Sequence, residues 1–451
     1  MSLASTAPGL LSRTRGFLRA SGHFDEVGTV DAYLRFEAAL AEVEGGLGII
    51  PEAAVPAILA ACRRDQLDMP GLREGAAAVG YPIVPLVAQL SELAGAHGQW
   101  VHYGTTTQDV MDTAQVLQIR GALSGTFDDL DQLEALLAEL CDRHRRTPMA
   151  GRSKLQHGIP ISFGYKVAVW LDQIHRSRNA LARALDEASV VQFGGAIGTL
   201  ASLQGRGTEV RAALARRLDL RDPAISWHVS RDRMAALAAA LATTLAALAK
   251  MATDIAFLMA TEVGELREPA AEGRGSSSTM PQKRNPVICE AILEAARCVQ
   301  QAPGQVLDAM LQEQERGIGH GYRERIVLAE AICQLSGAAS LACDLLTGLE
   351  VDTTRMRTNL DATGGLIHAE ALMIYLSDRL GRIEAHHLLH QVAREVSDDG
   401  RVLREALIAR GITVPEQVWS EAAQIAPAQP MIDAVLRDTG HGPRAGDQRA
   451  G

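Results

Sequence analysis

Residues 234–259 limit the folds open to this chain more than any other stretch. Leu237, Leu241, Leu245, Leu248, Ala252, Ile255 and Met259 recur every three or four residues, the spacing of one face of an α-helix. The opposite face is mostly alanine and threonine, so little of this helix is suited to water. A helix apolar nearly all round belongs inside a multi-helix or multi-subunit bundle. The uncharged run 234–249 is stopped by Lys250 and Asp254 and falls short of a membrane span.

Helical spacing continues on both sides, over 29–46, 85–94, 109–145, 163–189, 207–218, 286–311 and 322–349. Shorter amphipathic helices are predicted over 366–380, 382–397, 402–409 and 431–436, and no strand-type alternation stands out. Aromatic residues make up only 4% of the chain, and alanine and leucine dominate, which favours helices over sheets. The predicted fold is all-α. An N-terminal helical domain would span 1–100, a central long-helix domain 101–350 and a small helical domain 351–451 with a frayed tail from Gly440.

Four polar, glycine-bearing stretches interrupt the helices: 102–109, 151–160, 273–286 and 312–325. The third reads Gly-Arg-Gly-Ser-Ser-Ser-Thr-Met-Pro-Gln-Lys-Arg-Asn-Pro. Its glycines allow left-handed or extended backbone at little steric cost, and a plain linker rarely carries Met-Pro-x-Lys. Asn285-Pro286 reads as an N-cap followed by proline at the first helical position. A helix N-terminus favours an anion, and Lys283 adds positive charge, so this stretch is expected to close over a carboxylate. Within 102–109, adjacent threonines disfavour helix and are expected to open the helix that follows. In 151–160, Ser153 and Gln156, like Lys154 and His157, are three apart. Each pair would share a side of a helical turn, with Pro160 as a kink.

The 451 residues carry a net charge of −10, which argues against general nucleic-acid binding. A local pocket on such a protein can still be positive. Six cysteines lack any Cys-x-x-Cys, so neither a zinc site nor a disulfide framework is expected, and a reduced, cytoplasmic location is. No cofactor and no metal is predicted. If the four breaks converge, they bring together hydroxyl and amide donors with Lys and Arg cations. Such a set suits binding a di- or tricarboxylate and removing a proton from carbon beside a carboxylate.

The run Ser277-Ser278-Thr279-Met280-Pro281-Gln282-Lys283-Arg284-Asn285-Pro286 resembles the Gly-Ser-Ser-x-Met-Pro-x-Lys-x-Asn-Pro signature of the aspartase/fumarase superfamily. His102 to Asp109 resembles its Thr-Ser-Gln-Asp segment, and Ser153 with Gln156 its Thr-x-x-Gln segment. Gly151-Arg152, Leu155-Gln156-His157, Phe193-Gly-Gly-Ala, Trp227-His228 and Gln312-Glu-x-Glu-Arg316 resemble the 3-carboxy-cis,cis-muconate cycloisomerase branch most. Adenylosuccinate lyases come next. The resemblance implies a three-domain helical protein, a homotetramer around a long helix bundle, and active sites shared between subunits. It implies a lyase or cycloisomerase of a succinyl-type substrate. The alternative is a C–N lyase releasing fumarate from an N-substituted succinate such as nitrosuccinate or adenylosuccinate.

Carried over by position, the resemblance makes Ser277 the general base. Lys283 and Asn285 match ligands of the substrate carboxylate. Thr106, Thr107, Gln156 and Ser278 match substrate-binding positions, and Arg316 and Arg325 would hold the rest of the substrate. Lys154 and His157 are the candidates for the acid. Several positions depart from the pattern: Ser276 replaces the first glycine of the signature and Thr107 a serine. Lys154 stands where adenylosuccinate lyases carry histidine and muconate cycloisomerases tryptophan. The 82–85 region lacks a His-Asp pair, and 316–325 lacks tryptophan. A non-enzymatic homologue is disfavoured because Ser277, Lys283 and Asn285 are intact.

Overall fold

The computed structural model describes residues 14–270, 275, 280, 282–318 and 320–441. The expected frayed tail therefore falls almost wholly outside the described residues. Long helices dominate: Thr107–Arg143, Phe163–Ala188, Asp232–Leu258 and His320–Thr347. Their ends lie within two residues of the expected ones, because each has an uninterrupted apolar period.

Other expectations need correction. The glycine-bearing segment 68–80 contains the helix Met69–Val79. Asp68 caps its first turn through the Gly71 N–H, and Gly80 ends it at φ 87°. The single helix expected over 286–311 is two, Val287–Val299 and Ala302–Asp308. Pro303 lies in the first turn of the second, where its missing N–H costs nothing. The chain also holds strands: Pro148–Ser153 pairs antiparallel with Gln156–Ser162, and Leu266–Arg267 with Glu350–Val351. The fold is mostly helical rather than purely so.

The helix Asp232–Leu258 is, with Gly321–Thr347, long and apolar enough to cross a membrane by length and composition. In each helix most of the apolar window is buried inside this chain, 56% and 78% respectively, the mark of core helices.

Two compact units emerge. One comprises Met1–Asp129, Ser177–Ala246 and Glu294–Leu341, the other Leu130–Arg176, Ala247–Leu293 and Ala342–Gly451. In the first unit the core gathers around Phe36, Leu40, Ile58, Leu86, Leu90, Leu123 and Trp227. In the second, the helices Ala369–Leu380 and Arg382–Asp399 close over Leu372, Leu376, Leu389, Val392, Leu403 and Trp419.

Candidate functional site

In the first unit, the polar stretch 102–109 is organised by one buried carboxylate. Thr106 precedes the helix Thr107–Arg143, and Asp109 reaches back from its first turn to accept the Thr106 N–H at 3.2 Å. The same carboxylate accepts from Thr105 Oγ1 at 3.2 Å and Gln192 Nε2 at 3.2 Å. It also accepts the Gly194 and Gly195 N–H groups, both at 2.9 Å, and His228 Nε2–H at 2.7 Å. A buried polar group is tolerable only when hydrogen-bonded, and here the complement of donors is full. Gly195 sits at φ +67°, and a Cβ there would come 3.1 Å from the Gly104 carbonyl oxygen, so a side chain would be both strained and crowded. Asp109 thereby joins the threonine loop, the Phe-Gly-Gly-Ala break and the Trp-His segment.

One turn further along, buried Asp112 pairs with Arg231 at 3.0 Å and with Arg325. Arg231 also pairs with buried Glu324 and lies 4.7 Å from the Trp227 ring centroid. Burial works to raise the Asp112 carboxyl, but Arg231, Arg325 and His228 together outweigh it and hold the group below the usual carboxylate range. Arg325, expected to bind substrate, here donates to the Met111 carbonyl at 2.5 Å and to Asp112. Arg316 comes to the same place from the 312–325 stretch. It donates to the Ala196 carbonyl at 3.0 Å and reaches Thr106 Oγ1 at 3.4 Å and the Gly195 carbonyl at 3.5 Å. Thr107 is half-buried beside Thr106. His102, at φ 60°, binds Glu37 through Nδ1 at 2.6 Å. Burial disfavours the imidazolium there, yet the charge and hydrogen bond of Glu37 raise the pKa above the usual histidine value.

In the second unit, 151–160 is a β-hairpin and not the helical turn its spacing led one to expect. Ser153 and Gln156 are directly paired across the strands, and Arg152 faces His157. Helical spacing and a two-residue loop bring residues three apart together equally well, so spacing alone does not distinguish them. The loop is Lys154-Leu155, with φ 53° and 64°. Positive φ at both positions is what a type I′ turn needs, normally met by Asn-Gly. Lys154 and Gln156 are exposed. His157 is half-buried, its Nδ1 buried without a hydrogen-bond partner. Burial first, then the charge of Arg152, lowers its pKa, so the ring is neutral at neutral pH. Beneath the hairpin, Arg152 makes paired bonds of 2.6 and 3.0 Å to Glu265. Asn359 donates to the same carboxylate at 2.8 Å.

Ser277 and Ser278 lie outside the described residues. Lys283 is exposed, and Asn285 is half-buried with its N–H donated to the Gly275 carbonyl at 2.9 Å. A carboxyl group of the chain itself is seated at the helix N-terminus after Asn285-Pro286. Buried Glu268 accepts the Ile288 and Cys289 N–H groups at 3.1 and 2.8 Å, so those amides are already taken.

The structure therefore brings Thr106, Thr107, Arg316 and Arg325 together in one unit. Lys154, Gln156 and His157 lie on one hairpin in the other unit, which also holds Lys283 and Asn285. Sequence reasoning did not single out Asp112, Arg231 or Glu324, and named Asp109 and His228 only within segments that carry the resemblance, with no role of their own. For Asp112 and Glu324 the available signal was a charged residue among the apolar positions of a long helix, since such residues are seldom buried unless paired.

Comparison with known proteins places the chain in a family. Residues 76–301 match the family model described as Lyase. The chain is 44% identical to the 3-carboxy-cis,cis-muconate cycloisomerase of Pseudomonas aeruginosa, over 85% of this chain and 84% of that protein. It is 39% identical to a nitrosuccinate lyase of Streptomyces davaonensis, over 89% of this chain and 87% of that one. Among solved structures, a fumarate lyase from Mesorhizobium sp. BNC1 superposes with a TM-score of 0.85 at 40% identity, covering 93% of this chain and 97% of that chain. The chain belongs to the lyase family of the aspartase/fumarase superfamily, whose members are lyases and cycloisomerases.

Proposed function

We propose that this protein is a cycloisomerase or lyase of a di- or tricarboxylate, most like 3-carboxy-cis,cis-muconate cycloisomerase. The identity to the cycloisomerase of Pseudomonas aeruginosa over most of both chains carries this reading. Ser277 takes the proton from carbon beside a substrate carboxylate. The C–H electron pair becomes the new double bond as the bond to the leaving oxygen or nitrogen breaks, and the acid supplies that atom's proton. The reverse direction runs the same steps backwards. Lys154 is the better donor of that proton, because His157 is held neutral and so begins without the proton to give. Lys283, Asn285, Gln156 and Ser278 bind the reacting carboxylate, and Thr106, Thr107, Arg316 and Arg325 the remainder.

Active sites are assembled from several subunits of a cytoplasmic homotetramer, with domains over 1–100, 101–350 and 351–451, and no nucleic-acid or membrane partner. A second reading is a C–N lyase acting on an N-substituted succinate. It is favoured by the kinship with a nitrosuccinate lyase and by Lys154 where the muconate branch carries tryptophan. One screen separates the readings: ultraviolet absorbance with carboxymuconate, nitrosuccinate, adenylosuccinate and aspartate. Turnover of carboxymuconate supports the first, release of fumarate from a succinate only the second. Inertness towards all four would overturn both.

A further inference from the structure

We propose that His386 and His390 form a two-imidazole chelating site for a divalent transition-metal ion on the exposed side of the helix Arg382–Asp399. This helix buries Ala385, Leu389, Val392 and Val396. His386, His387 and His390 are all exposed. Residues four apart on a helix stand one above the other, with Cβ atoms about 5–6 Å apart. The His386 and His390 rings accordingly lie near parallel, 23° between planes, with centroids 6.2 Å apart. Two imidazoles on one metal ion, each nitrogen about 2.0–2.1 Å from it, need their rings somewhat closer. Both side chains are free at the surface to close that gap by rotation about χ1 and χ2.

His387 is 6.1 Å from the His386 ring but nearly perpendicular to it, at 86°. It stands about 100° round the helix from His386 and about 60° from His390, against about 40° between His386 and His390, so its variant tests which pair chelates. Among the described residues no group of three or more His, Cys, Asp or Glu is placed to hold a metal ion. The site is therefore a surface chelate completed by water, distinct from the buried four-ligand type. Imidazole donors select copper, nickel and zinc over magnesium and calcium, with copper(II) bound most tightly. Arg382 and Arg394 continue the same column four residues away on either side. Their charge opposes a dication, an effect that salt screens at an exposed site. Binding requires neutral imidazoles and so weakens on acidification.

The test uses untagged full-length protein, freed of metal with a chelator and titrated calorimetrically with copper(II), nickel(II), zinc(II) and magnesium(II) chlorides. One copper ion should bind per chain, more tightly than nickel or zinc, with no magnesium binding. His386→Asn and His390→Asn should each weaken copper binding by about tenfold or more. His387→Asn should change it by less than about twofold. Equal copper affinity in the His386→Asn/His390→Asn double variant and the wild type would place binding at other histidines and overturn the proposal. So would an affinity that depends on His387 as strongly as on His386. The residues are exposed, so retained thermal unfolding of each variant checks that only the site has changed.

Discussion

Asp109 shows how one carboxylate organises a loop cluster, and similar reasoning sets what single residues should do when changed. A base that removes a proton from carbon is needed mainly in the transition state, whereas carboxylate ligands act in the ground state as well. Ser277→Ala should therefore lower kcat by about 10³-fold or more and leave substrate affinity within about tenfold. Lys283→Ala should also weaken binding, through loss of a charged partner. Ser278→Ala removes a binding hydroxyl from the same loop and should weaken binding more than it lowers kcat. Steady-state kinetics on the three variants decide the assignment, and equal damage from Ser277→Ala and Ser278→Ala would remove Ser277 as base. A different residue governs stability. Glu44 is 1% exposed, and neither carboxylate oxygen has a hydrogen-bond partner. Burial, reinforced by the charge of Glu37, raises its pKa to about 9. Between the ordinary value of 4.5 and about 9 the folded chain holds a proton that the unfolded chain has lost. Stability therefore falls as pH rises through that window, by at most about 1.4 kcal/mol per pH unit from this one group. Thermal unfolding at fixed protein concentration should show a smaller loss from pH 6 to 9 in Glu44→Met than in the wild type. Parallel pH profiles would show that Glu44 is ionised in the fold. The sequence made the signature residues legible because their order along the chain carries the resemblance. It did not show Glu44 or Asp109 as buried, because the partners or neighbours that define each site come from distant segments.

At the scale of elements, the long helices were readable from periodicity alone, and the hairpin was not. Strands of six and seven residues with glycine and proline among them give no clear alternation. Their pairing partner is each other, which a scan for helix period cannot reveal. Glu268 was hidden for another reason: the acid that caps the helix Val287–Val299 lies about twenty residues upstream of the amides it accepts. Local capping rules look only across the first turn. The hairpin loop itself allows strain and chemistry to be separated. A non-glycine residue in the left-handed region costs about 1 kcal/mol or more, and such strain gathers at functional sites. Lys154→Gly should relieve that cost and raise the melting temperature slightly. Lys154→Met keeps the strain and removes the amine. If Lys154 supplies the proton, both variants should lose about 10²-fold or more in turnover, while only the glycine variant gains stability. Full activity in Lys154→Met would leave the loop as a strained turn without a chemical role.

For the whole molecule, the apolar helix that limited the fold at the outset leads to a statement about assembly. Within one chain, Asp232–Leu258 buries Leu237, Leu241, Leu245, Leu248 and Ile255. The positions left exposed include Ala236, Ala239, Thr243 and Ala246, spaced three or four apart. The sequence identified this small-residue face but not which side of the helix it would occupy, since that depends on what covers the opposite side. A surface helix ordinarily shows water a charged face. A stripe of alanine and threonine lets another helix approach closely, and burying it gains about 25 cal/mol per Å² of apolar surface. The protein is accordingly expected to be a tetramer with this stripe at a subunit interface. Light scattering at micromolar concentration should give the tetramer mass for the wild type. Ala239→Glu places a charge in the stripe and should shift the mass towards dimer or monomer, with activity falling in parallel if sites are shared. Ala239→Ser keeps the small volume and should leave both mass and activity unchanged. A monodisperse monomer for the wild type would refute the assembly. A tetramer that tolerates Ala239→Glu would keep the assembly but place its interface on another face.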